Sequence, residues 1–115
     1  MFYSSWIIQI DTNDKVKAND IYENAICKLN IKPSFKQISI NNPHGNLIHF
    51  EACHDTESWA HFIYELLSIS EAIGFGWRIS GPIDKCPSAL ASDTNIIGAK
   101  SVSWSVNDFG ESEYT

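Results

Sequence analysis

The sequence has few cysteines, no long apolar run and no basic N-terminal region. Its three cysteines, Cys27, Cys53 and Cys86, are too few and too widely spaced for a disulfide framework or a paired CxxC zinc site. No window approaches the roughly 20 apolar residues of a membrane-spanning helix, and the first residues lack the positive charge of a secretory signal. These absences predict reduced thiols in a soluble, cytoplasmic chain that does not associate with a membrane.

Positive charge is also scarce. The 115 residues contain 8 Lys and Arg against 14 Asp and Glu, so the formal net charge is -6. Because a protein that grips phosphate backbones needs a basic surface, this composition argues against nucleic-acid binding. The length and the 43% apolar content fit one domain. We expect a single domain over residues 1–109 and a flexible acidic tail over 110–115, which has no apolar pattern.

The first part of the chain predicts a strand followed by a helix. Residues 3–11 alternate between apolar and polar side chains, as in a strand with one face in the core. Asp20, with Glu23 three positions later, can form a capping box at the start of a helix. The apolar stripe of this helix ends near Asn30, so the helix is predicted to end there.

A hairpin is predicted next. Residues 35–40 and 46–53 both alternate, and the turn-forming residues 41–45 separate them. The more apolar side of the second strand should face the core, and it consists of Ile48, Phe50 and Ala52.

The longest predicted helix is amphipathic. Residues 55–57 should cap it, and Gly74 should end it after Ile73. At about 100° per residue, apolar and polar side chains fall on opposite arcs. The core-facing set is Trp59, Phe62, Ile63, Leu66, Ile69 and Ile73, and the solvated set is Glu57, His61, Glu65, Ser68 and Glu71.

The last part of the chain predicts two strands joined by a long loop. Alternation over residues 75–80 and 102–106 indicates the strands. The intervening residues 81–100 form a longer connection than compact domains usually have, which makes them a candidate functional loop. Within it, residues 87–91 could form one helical turn, and residues 96–97 could pack as an apolar anchor.

The order strand, helix, strand, strand, helix, strand, with a further C-terminal strand, predicts an α+β fold. It resembles the ferredoxin-like arrangement, an antiparallel sheet with two helices on one face. The tryptophans fall on the predicted core side, which favours packing over stacking on bases. They are Trp6, Trp59, Trp77 and Trp104. Since this architecture carries enzymes, binding modules and inhibitors, it constrains function little.

The densest group of reactive side chains is His44, His49, Glu51, Cys53 and His54. Alternation places His49, Glu51 and Cys53 on one strand face, where neighbours stand about 7 Å apart. Zinc ligands lie about 2.0–2.3 Å from the metal, so the three side chains of this row cannot reach one zinc ion by themselves. A polar outward face is therefore favoured over a zinc site or a catalytic Cys/His pair, whose thiol has no activating context. We predict no metal, no cofactor, no catalytic residue and no enzymatic activity.

Negative charge is concentrated in the second half of the chain. Residues 1–50 contain five basic and four acidic residues, whereas residues 51–115 contain three basic and ten acidic ones. Such charge either keeps the protein soluble or attracts a basic protein, because a patch of negative charge accelerates association with a positively charged partner. The predicted partner-binding residues are Glu57, Glu65, Glu71, Asp84 and Asp93, with Tyr64 and Phe109 as exposed aromatics.

In size, charge and element order the chain resembles the small immunity proteins that bacteria pair with polymorphic and contact-dependent growth-inhibition toxins. The resemblance implies one-to-one binding of a cognate toxin domain, often a nuclease, and it assigns no individual residue. The leading hypothesis is thus an inhibitor that binds a basic toxin domain through acidic side chains. The alternative is a small ferredoxin-like enzyme or ligand-binding domain that uses the exposed sheet face around His49, Glu51 and Arg78.

Overall fold

A computed structural model describes residues 2–29, 31–40, 45–82 and 85–106. In chain order its elements are β1 (Phe2–Ile10), α1 (Lys15–Leu29), β2 (Lys32–Ser39), β3 (Asn46–His54), α2 (Trp59–Ile73), β4 (Gly74–Phe75), β5 (Arg78–Ser80), β6 (Ser88–Ala91), β7 (Asp93–Thr94) and β8 (Ala99–Ser105). The predicted α+β class with two helices is confirmed. His44 and the predicted tail, residues 110–115, lie outside the described residues.

Six strands form an antiparallel sheet in the order β2-β3-β1-β8-β6-β5, and β4 pairs with β7 in a separate ladder. The central strand β1 places Trp6 opposite Phe50 of β3 and opposite Trp104 of β8. The predicted hairpin is confirmed, because β2 and β3 pair antiparallel. A ferredoxin-like order is not confirmed, since the sheet contains six strands rather than the five that the sequence predicts.

Both helices pack against the same face of the sheet. Tyr22 of α1 contacts the ring of Phe50 edge-on, with 5.7 Å between ring centroids. Phe62 of α2 contacts the ring of His54 at 5.0 Å. Phe50 and His54 lie on one side of β3, which alternates between buried and half-buried residues. Helices and sheet therefore share one apolar core, which includes Trp6, Ile48, Phe62, Leu66, Ile73 and Trp104.

Both helices begin at other residues than the sequence predicted. α1 begins at Lys15, not at Asp20, because the Asp14 carboxylate caps it by accepting from the Val16 N–H at 2.9 Å. Asp20 therefore lies inside the helix. α2 begins at Trp59 after Ser58, whose hydroxyl accepts from a backbone N–H of the first turn at 3.2 Å.

The start of α2 at Trp59 leaves residues 55–57 outside the helix, so they do not cap it. The nearer hydroxyl of Ser58 takes that role. The predicted end of α2 at Ile73, before Gly74, is confirmed. Within the described ranges, neither helix is long and apolar enough to cross a membrane.

The region after α2 differs most from the sequence prediction. Gly76 adopts a φ of 63°, which breaks the predicted strand over residues 75–80 into β4 and β5. The predicted loop 81–100 contains β6 and β7. Its residues 87–91 form no helical turn, because β6 hydrogen-bonds between β5 and β8. Of the predicted anchor, Ile96 is buried, whereas Ile97 is 87% exposed.

Candidate functional site: the α2 surface and two clefts

The outward side of α2 carries an exposed tyrosine between acidic residues. Tyr64 is 69% exposed, and Glu71 lies about two helical turns further on, on the same side of the helix. Glu57 is exposed just before the N-terminal end of the helix. Tyr64 thus occupies the middle of a surface with a carboxylate at each end.

A short ladder adds two residues at the C-terminal end of α2. Phe75 of β4 pairs with Asp93 of β7, and both are exposed. The ladder is held to the helix because the Thr94 hydroxyl donates to the Ile73 carbonyl at 2.6 Å. We call Glu57, Tyr64, Glu71, Phe75 and Asp93 together the α2 surface.

Charge of one sign dominates the stretch of sequence that includes α2. Residues 37–77 contain five acids and no Lys or Arg. Among the described residues, the only ion pairs join His54 to Glu65 and Lys100 to Asp11, so the acids of the α2 surface have no cationic partner. Unpaired carboxylates around exposed aromatic rings create a negative potential that favours a basic ligand or protein.

Glu65 differs from these acids because it has a partner inside the protein. Its side chain is 40% exposed, and its Oε1 atom lies 3.0 Å from Nδ1 of the buried His54. Nε2 of His54 lies 2.7 Å from the Ser4 hydroxyl, which accepts from the Trp6 indole N–H at 2.8 Å. When Nδ1 of His54 donates to Glu65 and Nε2 accepts from Ser4, each of these hydrogen bonds has one donor and one acceptor. Glu65, predicted as a solvated acid, instead anchors a hydrogen-bond network.

The order serine, histidine, carboxylate is also that of a hydrolase triad. Here, however, Ser4 is 2% exposed and His54 is 1% exposed, and the Ser4 hydroxyl already accepts from Trp6. A nucleophile must reach a substrate, and Ser4 is too buried to do so. The burial therefore favours a structural role for the network. It ties β1, β3 and α2 together through hydrogen bonds inside the core.

The face of the sheet opposite the helices contains an open cleft of about 470 Å³. We call it the outer cleft. It crosses β1, β8, β6 and β5, and it is lined by five serines and one arginine together with the apolar residues Ile7, Ala89, Leu90 and Trp104. The lining residues include Ser5, Ile7, Arg78, Ser80, Ser88, Leu90, Ser103 and Ser105. Hydroxyls and a guanidinium are donors suited to an anionic or polar ligand.

The predicted row of His49, Glu51 and Cys53 lies on this outward face of β3, as expected from alternation. The Ser5 hydroxyl, at the margin of the outer cleft, lies 2.8 Å from Nε2 of His49. Across the described ranges, no three His, Cys, Asp or Glu side chains lie close enough together to hold a metal ion. The row is therefore a set of separate polar groups, and His49 is hydrogen-bonded to Ser5.

A second, smaller cleft lies beside the α2 surface. Its volume is about 220 Å³, and we call it the α2 slot. The slot lies between α2 and strands β5, β6 and β8. Its lining residues are Leu67, Ser70, Glu71, Trp77, Ile79, Ala89 and Trp104. Glu71 thus belongs both to the α2 surface and to the wall of an apolar cleft.

Ser70 organises the floor of the slot. Its hydroxyl accepts from the Trp104 indole N–H at 2.7 Å and donates to the Leu66 carbonyl at 2.7 Å. Its own carbonyl accepts from the Trp77 indole N–H at 2.9 Å. The indole N–H groups are thus satisfied internally, which leaves the Glu71 carboxylate as the unpaired polar group of the slot.

The structure brings together only some of the predicted partner-binding residues. Tyr64 and Glu71 share one side of α2, with Glu57 and Asp93 near its two ends. Asp84 and Phe109 lie outside the described residues. Sequence reasoning missed the network of Ser4 and the slot, because both join residues from distant parts of the chain.

Comparisons with family models, with curated proteins and with solved structures found no match.

Proposed function

We propose that this protein is a cytoplasmic immunity protein that binds and neutralises a cognate bacterial toxin domain, as in contact-dependent growth inhibition, and that it is not an enzyme. The observation that carries the proposal is the α2 surface. It combines exposed aromatic rings with unpaired carboxylates, and residues 37–77, which supply all of it except Asp93, contain no Lys or Arg. A basic domain such as a nuclease has the complementary charge.

The exposed aromatic residues of the α2 surface favour a role as a protein interface. Aromatic residues are enriched in interfaces, and the rim around them is polar. Tyr64 and Phe75 supply exposed rings, and Glu57, Glu71 and Asp93 surround them. We propose that the rings make the central contacts while the acids steer a basic toxin toward them.

For the fold, we propose a ferredoxin-like core extended at one edge. The neighbouring strands β2-β3-β1-β8, with α1 after β1 and α2 after β3, have the order and antiparallel pairing that such a core requires. In this interpretation, β4 to β7 are an insertion before the last strand. The insertion supplies Phe75 and Asp93 to the α2 surface and Ile79 to the slot.

Co-expression with the product of the adjacent gene tests the function. The immunity hypothesis expects that gene to encode the basic C-terminal domain of a large secreted protein. The two proteins should co-purify as a stoichiometric complex, and expression of this chain should protect cells that express the toxin. A neighbouring gene of metabolism, or a basic neighbour that neither binds nor harms cells, would count against the proposal.

A second candidate function rests on the outer cleft. Its volume of about 470 Å³ lies within the roughly 300–1,000 Å³ of small-molecule sites. Arg78 and the surrounding serines could bind an anionic ligand there, with Ser5 and His49 at the margin. Thermal-shift screening of anionic metabolites tests this candidate. A hit whose stabilisation is lost in Arg78→Ala supports it, and no stabilisation by any anion contradicts it.

A further inference from the structure

We propose that the α2 slot receives an arginine side chain of the toxin. The inference rests on the proposed function and deepens it, because it identifies the chemical group that the inhibitor recognises. The slot's volume of about 220 Å³ is several times the roughly 30 Å³ of one water, and lies below the range of small-molecule sites. A cleft of this size suits one long side chain rather than a cofactor or substrate.

The lining of the slot specifies the kind of side chain. Leu67, Ile79 and Ala89 give it apolar walls, and the polar groups of its floor are already paired with one another. The unpaired group is the Glu71 carboxylate. An apolar cleft with one carboxylate matches a side chain that has an aliphatic stem and a cationic head.

The tryptophans favour arginine over lysine. Trp77 is half-buried in the wall of the slot, and its indole N–H is held by the Ser70 carbonyl, which fixes the ring. A planar guanidinium stacks on an indole face and sheds water more readily than an ammonium group does. Glu71 can then accept hydrogen bonds from the same guanidinium.

The position of the slot supports a toxin as the source of this arginine. The slot opens beside the α2 surface, and both share Glu71. Arg78, the basic residue next to the lining residues Trp77 and Ile79 in the sequence, lines the outer cleft instead of the slot. An arginine that projects from a docked basic domain would therefore meet an unoccupied carboxylate at the end of α2.

The test is a two-dimensional NMR titration of the 15N-labelled protein with N-acetyl-arginine methylamide. The indole N–H signals report the site directly, because Trp77 and Trp104 line the slot while Trp6 and Trp59 do not. We expect saturable shifts of the Trp77 and Trp104 signals with a Kd of about a millimolar, and no shift of the other two signals. The lysine analogue should bind less tightly, and the neutral norleucine analogue should bind least.

Two variants and a matched control sharpen the test. Glu71→Gln should weaken arginine binding about three- to ten-fold, since one charged contact is lost. Leu67→Trp should block the slot, whereas Glu57→Gln, which removes an acid outside the slot, should change nothing. Thermal melts of each variant establish that it is folded. Equal binding of the arginine and norleucine probes, or unchanged binding by Glu71→Gln, overturns the proposal.

The outcomes for the slot and for the proposed function are separable. If Glu71→Gln and Leu67→Trp bind the toxin as tightly as the unmodified protein does, the arginine slot is wrong and the immunity function stands. If the slot takes the arginine probe selectively but the adjacent gene product does not bind, the slot is supported as a cation site, and the immunity function and the toxin as its source are wrong.

Discussion

At the scale of single residues, two adjacent serines show how the environment decides what a side chain does. Ser4 and Ser5 follow one another in β1, and each hydroxyl contacts a histidine of β3. Because strand residues alternate, Ser4 lies in the core and Ser5 lies on the outward face. The pair therefore offers the same substitution in two surroundings.

Ser4→Ala should destabilise the protein by about 1–3 kcal/mol, because it leaves the buried His54 and the Trp6 indole N–H without their shared partner. Ser5→Ala is the matched control and should stay within about 0.5 kcal/mol of the unmodified protein. Urea denaturation followed by tryptophan fluorescence measures both. If Ser4→Ala changed stability as little as Ser5→Ala is expected to, the buried network would not contribute to stability.

Glu71 illustrates a residue that serves binding rather than folding. It lies in the last turn of α2, where the negative end of the helix dipole disfavours a carboxylate. Glu71→Gln should therefore leave stability unchanged or raise it by about 0.3–1 kcal/mol, while weakening toxin binding. Thermal unfolding measures the stability of the variant, and surface plasmon resonance on the same sample measures its affinity for the toxin. Loss of stability together with binding would instead make Glu71 a structural residue.

At the scale of elements, α2 contributes both to the core and to the proposed binding surface. Its inner side carries core residues such as Phe62 and Leu66, and its outer side carries Tyr64 and Glu71. The helix thus holds the α2 surface rigidly against the sheet. A change on one side should affect stability, and a change on the other side should affect binding.

Leu66→Ala should cost about 2–5 kcal/mol of stability, because Leu66 is fully buried and its truncation leaves a cavity. The matched control is Leu90→Ala on the outward face of the sheet, where the side chain is half exposed and the cost should be about 1 kcal/mol or less. Chemical denaturation gives both values. A near-neutral Leu66→Ala would contradict the packing of α2 on the sheet.

At the scale of the whole molecule, the two helices differ in charge. α1 contains basic residues among its acids, whereas α2 and the residues from 37 to its start contain no Lys or Arg. Association with a basic toxin should therefore depend on where charge lies and not only on the net charge of -6.

The double reversal Glu57→Lys with Glu71→Lys should lower the association rate for the toxin and reduce its salt dependence, because it removes the steering field of the α2 surface. The control reverses Asp20 and Glu23 on α1, which are exposed and give the same change in net charge. Surface plasmon resonance at two salt concentrations separates the variants. Equal loss of association rate in both would mean that net charge, not the α2 surface, guides binding.

Local pattern in the sequence determined much of this protein. Alternation predicted β1, the hairpin of β2 and β3, and β8, and the helical period predicted the core side of α2, including Leu66 and Ile73. These predictions succeed because strand and helix periods depend on neighbouring residues. The acids and Tyr64 of the α2 surface could also be found this way, since amphipathicity identifies what is exposed.

Tertiary structure alone decided the rest. Residues 88–91 form a strand because β8 and β5 pair with them. Glu65 is half-buried because its carboxylate accepts a hydrogen bond from Nδ1 of His54, which lies on β3. The α2 slot exists because Glu71, Trp77 and Trp104 meet across three elements. Such contacts join residues far apart in the chain, and no local period records them.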